Sequence, residues 1–381
     1  MRNVTLSLGA SVTAGLLVAA TSPAMAAAWF GAPLTSQLDN SLGPGPAPRP
    51  AATADVDGDG HVDLVSIGDF TFGDIRVSLG NGNGTFDAAT KVAGTTQTQG
   101  LDLGDVTGDG DADLVAMTVS EARILQGNGA GGFSQIGSYP LTLGGQVQPL
   151  LVDLDSDGDL DVVAPTFTAI QTLLNNGSGT FTVGPTTQVS GAFVLSAIAV
   201  AHLDPGVTPD LFAIDGGSST LFALTGNGNG SFTKTGALYG TSFIPEDVAA
   251  IDLDGDGYDD GAVVGSFSFS LATGLTDGTG KFRSYVPSSF QFGGPGPTSA
   301  AVADFDSDGR QDLVVSSLAN PAAGTLTVLA GNGTPGMRKV GTFSTAAFPQ
   351  NPVLADYDED GDTDIAVVSP GSITVLPNTT P

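Results

Sequence analysis

The segment Asp55-Val-Asp57-Gly-Asp59-Gly60-His61-Val-Asp63 recurs seven times along this 381-residue chain. Its copies open at Asp55, Asp105, Asp153, His202, Asp252, Asp304 and Asp356, at intervals of 48 to 52 residues. A fixed period of that length, with one loop per unit, constrains the fold more than any other feature. Each unit must be the same supersecondary element, and it must bury its apolar face against its neighbours. Such an array lets the whole length close as one unit rather than divide into two or three domains.

Within a period the pattern is that of short strands. Small apolar runs precede each loop, such as Ala197-Ile-Ala-Val-Ala201 and Ala300-Ala-Val-Ala303, and suit strands crowded around an axis. A second run follows the loop, then a third that ends in a Gly/Asn turn such as Gly80-Asn-Gly-Asn-Gly84. Phe86, Phe133, Phe181, Phe232 and Phe282 follow those turns and open a fourth strand, with Met337 in the sixth copy. Gly and Asn supply the positive φ that tight hairpins require. No helical periodicity occurs after the first 26 residues. Four antiparallel strands in each of seven units predict an all-β, seven-bladed β-propeller. The seventh unit stops one strand short, while Trp29-Phe30-Gly-Ala-Pro-Leu-Thr-Ser36 lies ahead of the first loop. That segment is expected to complete the last blade and cover edges that would otherwise be exposed. The run Leu376-Pro-Asn-Thr-Thr380 reads as the end of a strand.

The loops carry the chemistry. Position 1 is Asp55, Asp105, Asp153, Asp252, Asp304 and Asp356, and position 3 is Asp57, Thr107, Asp155, Asp254, Asp306 and Asp358. Position 5 is Asp59, Asp109, Asp157, Asp256, Asp308 and Asp360. Position 9 is Asp63, Asp113, Asp161, Asp260, Asp312 and Asp364. Carboxylates on alternate residues of a tight loop converge on a hard, oxygen-seeking cation, and Ca²⁺ suits a flexible all-oxygen set better than Mg²⁺, which keeps its waters. Position 7 is His61, Asp111, Asp159, Tyr258, Arg310 and Asp362. That indifference to side chain implies that its backbone carbonyl faces the ion and that His61 is no transition-metal ligand. An EF-hand would need Glu at position 12 and a following helix. Position 12 is instead Ser66, Ala116, Ala164, Val263, Val315 or Val367. In the fourth copy His202, Gly206 and Val207 replace positions 1, 5 and 6, leaving two carboxylates and a poor site. Roughly five or six Ca²⁺ per chain are therefore expected.

The loop, the turn-Gly-Thr-Phe element and their spacing resemble the FG-GAP (VCBS-type) repeats of integrin α-subunit propellers and of many secreted bacterial proteins. The resemblance spans residues 29 to 376, and Phe-Gly-Ala-Pro itself is literal at Phe30 to Pro33. It implies that the loop joins strands 1 and 2 of a blade and binds calcium, and that the opposite face carries ligand recognition.

Charge and composition narrow the function. The formal net charge is −29, and 23 of the 40 acidic residues sit at positions 1, 3, 5 and 9 of the six intact loops. A negative field of that size disfavours nucleic acid and anionic membrane surfaces. Met1-Arg2, an apolar stretch through Gly15 to Ala20 and Ser22-Pro-Ala24-Met-Ala26 read as a Sec-type signal peptide over 1–26, with a single propeller over 27–381. A secreted or cell-surface monomer without membrane insertion is expected. There is no Cys, His occurs twice and no nucleophile motif is present, so no catalytic constellation emerges. A binding or adhesion module for an extracellular glycan or protein is the primary expectation. A polysaccharide lyase or hydrolase and a passive surface component are the alternatives. Variable loops at Gly68 to Phe72, Gly144 to Gln146, Phe167, Gly191 to Phe193, Phe243, Phe267 to Phe269 and Ser289 to Phe292 are the candidate recognition positions.

Overall fold

The computed structural model describes residues 29–38, 50–68, 73–141, 148–240, 244–265, 271–287, 296–320 and 323–380. The expected signal segment, and the candidate recognition positions at 69–72, 144–146, 243, 267–269 and 289–292, lie outside these.

Twenty-eight strands among the described residues, β1 to β28 in chain order, form seven separate four-stranded antiparallel sheets. Six sheets take their strands consecutively, as adjacent hairpins do. The seventh has the order β1-β28-β27-β26, with β1 (Leu34–Gln37) outermost on β28 (Ser372–Leu376), followed by β27 (Asp364–Ser369) and β26 (Gln350–Ala355). Leu34 pairs with Val375 and Gln37 with Ser372. The N-terminal strand thus closes the ring. Its regular part is shorter than the Trp29–Ser36 segment expected, because Pro33 has no N–H for the ladder. Ahead of it Phe30 forms an isolated bridge with Asn378.

The core is divided in the same way. Seven buried apolar clusters each join two adjacent blades, so the hydrophobic contribution to stability resides in the seams. The Phe after each Gly/Asn turn packs across one. Phe86 meets Tyr357 edge-on at 5.6 Å, and Phe181 meets Tyr139 at 5.6 Å. Phe30 lies between Phe305 and Phe343 at 5.6 and 5.4 Å, with Trp29 beside it. Met337 fills the corresponding place at the seam between the fifth and sixth blades. The first strand of each blade lines a central channel, and its C-terminal end leads into the Asp-rich loop. Among the described residues no helix is long and apolar enough to cross a membrane.

Candidate metal centres

Each Asp-rich loop is folded by its own carboxylates. Asp55 accepts the Gly58 and Gly60 N–H groups at 2.7 and 3.0 Å, and Asp105 and Asp153 repeat that pattern. The position 5 carboxylate accepts the position 7 N–H in all six intact loops. Position 6 has φ between 84 and 96° throughout, in Gly60, Gly110, Gly158, Gly257, Gly309 and Gly361. A Cβ there would meet nothing within 4 Å, so glycine is required for its backbone freedom and not for space. Val207 holds that place in the fourth loop. It has no positive φ and is 92% exposed, so this loop turns differently.

Five of the seven loops bring three carboxylates together, with ligand atoms within 4.8 Å of one another. Three use positions 1, 3 and 9: Asp55, Asp57 and Asp63; Asp153, Asp155 and Asp161; Asp252, Asp254 and Asp260. Two use positions 1, 3 and 5: Asp304, Asp306 and Asp308; Asp356, Asp358 and Asp360. The second loop, with Thr107 at position 3, and the fourth form no such triad.

The donor set fits a hard cation on two counts. Asp155, Asp254 and Asp358 each hold a buried Oδ1 without a hydrogen-bond partner, all at position 3. A buried acceptor left unsatisfied is costly unless something binds it. Burial first, and then the neighbouring carboxylates, push the pKa values of Asp155, Asp306 and Asp358 up. A divalent ion reverses that balance. In the fifth loop Arg283 from the outer strand already pairs with Asp254 and, at 3.6 Å, with Asp256.

Two position 7 side chains reach to a neighbouring blade, whereas Arg310 turns back to Asp308 of its own loop at 2.8 Å. His61 pairs with Glu359 of the last blade, and Tyr258 stacks on His202 at 5.5 Å. His202 and Asp259 also exchange backbone and side-chain bonds. The fourth loop is thus held to the fifth blade by direct contact.

Two roles were not apparent from the sequence. Position 9 is a clamp. Asp63 accepts Val56 N–H at 2.8 Å and Gly80 N–H at 2.7 Å, tying the loop to the end of the third strand. The same pair of backbone donors is bound by Asp113, Asp161, Asp210, Asp260, Asp312 and Asp364. Burial raises their pKa values, to about 6 in Asp161 and Asp312 and about 7 in Asp260 and Asp364, against the opposing backbone donors. Position 2 is an anchor. Val56, Val106, Leu154, Leu203, Leu253, Phe305 and Tyr357 are all buried. Five of their carbonyls accept bonds from the following blade, from Gly131, Gly179, Gly280, Asn378 and Gly84. The signal was present in the sequence as an apolar residue between positions 1 and 3 of every loop.

On the opposite face, Phe167 and Phe193 are 52% and 68% exposed. Their backbones are joined, since Leu195 N–H donates to Phe167 O at 2.8 Å. The Phe193 loop is held by Asp215, whose carboxylate accepts the N–H groups of Phe193, Val194 and Gly217 and the Ser218 hydroxyl. Burial pushes Asp215 up, but these four donors outweigh it and hold its pKa below the usual range.

Comparison with known proteins agrees with this architecture. The FG-GAP-like repeat family matches residues 55–116, 105–164 and 208–263, and the FG-GAP repeat family matches 296–329. No curated protein matches the chain. Among solved structures, the BP39L lectin from Burkholderia pseudomallei superposes with a TM-score of 0.64 at 15% identity, over 86% of this chain and 95% of that one. A lectin from Agrocybe aegerita, described as specifically recognising non-reducing terminal N-acetylglucosamine, gives 0.55 at 19%, over 85% and 86%. A candidate 6-phosphogluconolactonase from Bacteroides uniformis gives 0.57 at 13%, over 80% and 90%. At these identities the likeness is one of fold.

Proposed function

We propose that this FG-GAP-repeat propeller is a secreted, calcium-stabilised binding module whose glycan or protein ligand docks on the face opposite the cation loops. The observation that carries the reading is the Phe167–Phe193 platform. Exposed Phe193 stands on backbone fixed by the Asp215 clamp, and exposed Phe167 on the adjoining loop that accepts Leu195 N–H, so little conformational freedom is lost when a ligand covers them. Aromatic faces of this kind suit the apolar face of a sugar ring or a protein side chain. Lectins among the solved structures of similar fold support the glycan class.

Calcium is assigned to the loops from their oxygen-only donors and from the unsatisfied position 3 oxygens. Its part is structural. The ion binds only the folded loop and so stabilises it, by about 2.7 kcal/mol per site at a hundredfold its Kd. Residues 1–26 direct secretion, and the secreted protein is expected to begin at Ala27 on N-terminal sequencing.

The test is a glycan array, paired with capture from an extracellular protein library, using the parent chain, Phe193→Ser and Phe167→Ser with calcium present. Binding by the parent that falls in either variant while its melting curve is unchanged supports the platform. Binding that survives both substitutions but is lost when the Gly/Asn turns are altered would move the site to the cation face.

A further inference from the structure

The fifth cation loop carries a positive charge of its own. Arg283 lies in the outer strand of the same blade, Phe282–Pro287. Its Nη2 pairs with Asp254 Oδ2 and, at 3.6 Å, with Asp256 Oδ2, the carboxylates of positions 3 and 5. Among the described residues no Lys or Arg pairs with the triad carboxylates of the first, third or seventh loop. The sixth loop is intermediate. Arg338 follows Met337 as Arg283 follows Phe282, yet it lies over the Trp29 ring at 5.7 Å, from where its charge still acts on Asp306. Arg310 reaches Asp308 alone, and is half exposed.

The fifth loop is also braced on both sides. Asp252 N–H donates to Gln311 Oε1 of the sixth loop at 2.8 Å. On the other side Asp259 accepts His202 N–H at 2.8 Å, and Tyr258 stacks on the His202 ring. Gln311 and Asp259 hold the same place, position 8, in their loops. The fourth loop, without carboxylates at positions 1 and 5, thus leans on the fifth, and the fifth on Arg283.

We infer that Arg283 is a built-in counter-cation that keeps the fourth and fifth loops folded when calcium is withdrawn. The inference rests on calcium being the ion of the other loops. Carboxylates gathered in one loop repel at close range, and a divalent ion or a guanidinium relieves that repulsion. An isolated surface pair contributes little. Here one planar guanidinium spans two members of a cluster, and Asp254 is only 14% exposed. Arg283 pairs with neither Asp252 nor Asp260, and Asp254 Oδ1 is buried without a hydrogen-bond partner. The fifth loop therefore still offers oxygens to calcium, but the ion must compete with the guanidinium for Asp254. Withdrawal of calcium then loosens the first, third and seventh loops and spares the sector of the fourth and fifth.

Hydrogen–deuterium exchange of the full chain, read by mass spectrometry in calcium and in chelator, tests this. In the parent, chelation is expected to speed exchange about tenfold or more in 55–63, 153–161 and 356–364, and less than about twofold in 202–210 and 252–260. Arg283→Met keeps an unbranched apolar stem and removes the charge. In that variant 202–210 and 252–260 should exchange in chelator as fast as the other loops, and calcium should restore their protection. Arg283→Lys keeps a charge that cannot span both carboxylates and should protect in part. Restoration by calcium separates charge from packing, because a variant that has merely lost a contact stays unprotected in both conditions. The inference is overturned if 252–260 of the parent responds to chelation like the other loops. It is also overturned if Arg283→Met stays protected in chelator, or is not restored by calcium. If no loop responds to chelation and dialysis finds no bound calcium, the calcium assignment itself falls and takes this inference with it.

Discussion

Replacing Asp210 with Ala isolates the position 9 clamp from the cation, because the fourth loop keeps this residue while lacking the position 1 and 5 carboxylates. Asp210 is 1% exposed and accepts Leu203 N–H at 2.7 Å and Gly226 N–H at 2.8 Å. Truncation leaves both donors without a partner. Each unsatisfied buried N–H costs about 1–3 kcal/mol. Removing a carboxylate whose pKa is raised by burial returns part of its desolvation cost. The net loss is expected at about 3 kcal/mol. Asp210→Asn keeps one acceptor oxygen and should lose about half as much. Both losses should be the same in calcium and in chelator. Urea unfolding measures them, followed by circular dichroism and by fluorescence of Trp29, the single Trp. The two curves must coincide before free energies are compared. A loss below about 1 kcal/mol, or one that disappears in chelator, would refute the clamp and return position 9 to a purely ligating role.

Equilibrium dialysis should give about five calcium ions per chain with a weaker sixth in the Thr107 loop, and chelation should lower the melting temperature. Seven ions, fewer than four, or an unchanged melting curve would contradict the loop assignment. Deleting residues 27–38 should cause aggregation or marked destabilisation in size-exclusion and melting experiments, because it bares β28 and removes Phe30 from its three-ring cluster. Asp102 lies in the first strand of the second blade, where burial, outweighing its bonds from Leu151 and Leu103, pushes its pKa from 3.8 to about 6. An acid whose folded pKa exceeds its unfolded one binds more protons when folded, so its contribution falls as pH rises from 3.8 to 6. Asp102→Asn should flatten the stability profile in that window, and an unaltered slope would count against the assignment.

The ring was legible in the sequence because its period is carried by residues under strict geometric demand. Gly at position 6 answers a positive φ, and Asp at positions 1 and 5 answers the N–H groups of the turn, so each copy announces itself. The capping role of Asp63 and its equivalents was not legible, since a carboxylate placed to ligate and one that caps backbone donors look the same in sequence. Asp210 hinted otherwise by persisting, with Asp204, where the carboxylates of positions 1 and 5 are lost. The polar residues at the end of the central channel were hidden for a different reason. Ser196, Glu246, Thr298 and Asn351 share a place but no chemistry, and the register shifts of their strands offset the alternation from which strand faces are read.

The partnership of β1 with β28 has a consequence for how the molecule assembles. Leu34 and Val375 are paired almost a full chain length apart, so this contact carries the largest loop-closure entropy and is expected to form last. Until it does, six finished blades and one three-stranded sheet coexist with a free β1. That open edge accepts β1 from any copy of the chain equally well. Whether it finds its own or another's is then a contest between tether and concentration. Dilute refolding is expected to give closed monomers, and crowded refolding strand-exchanged chains with the same local contacts.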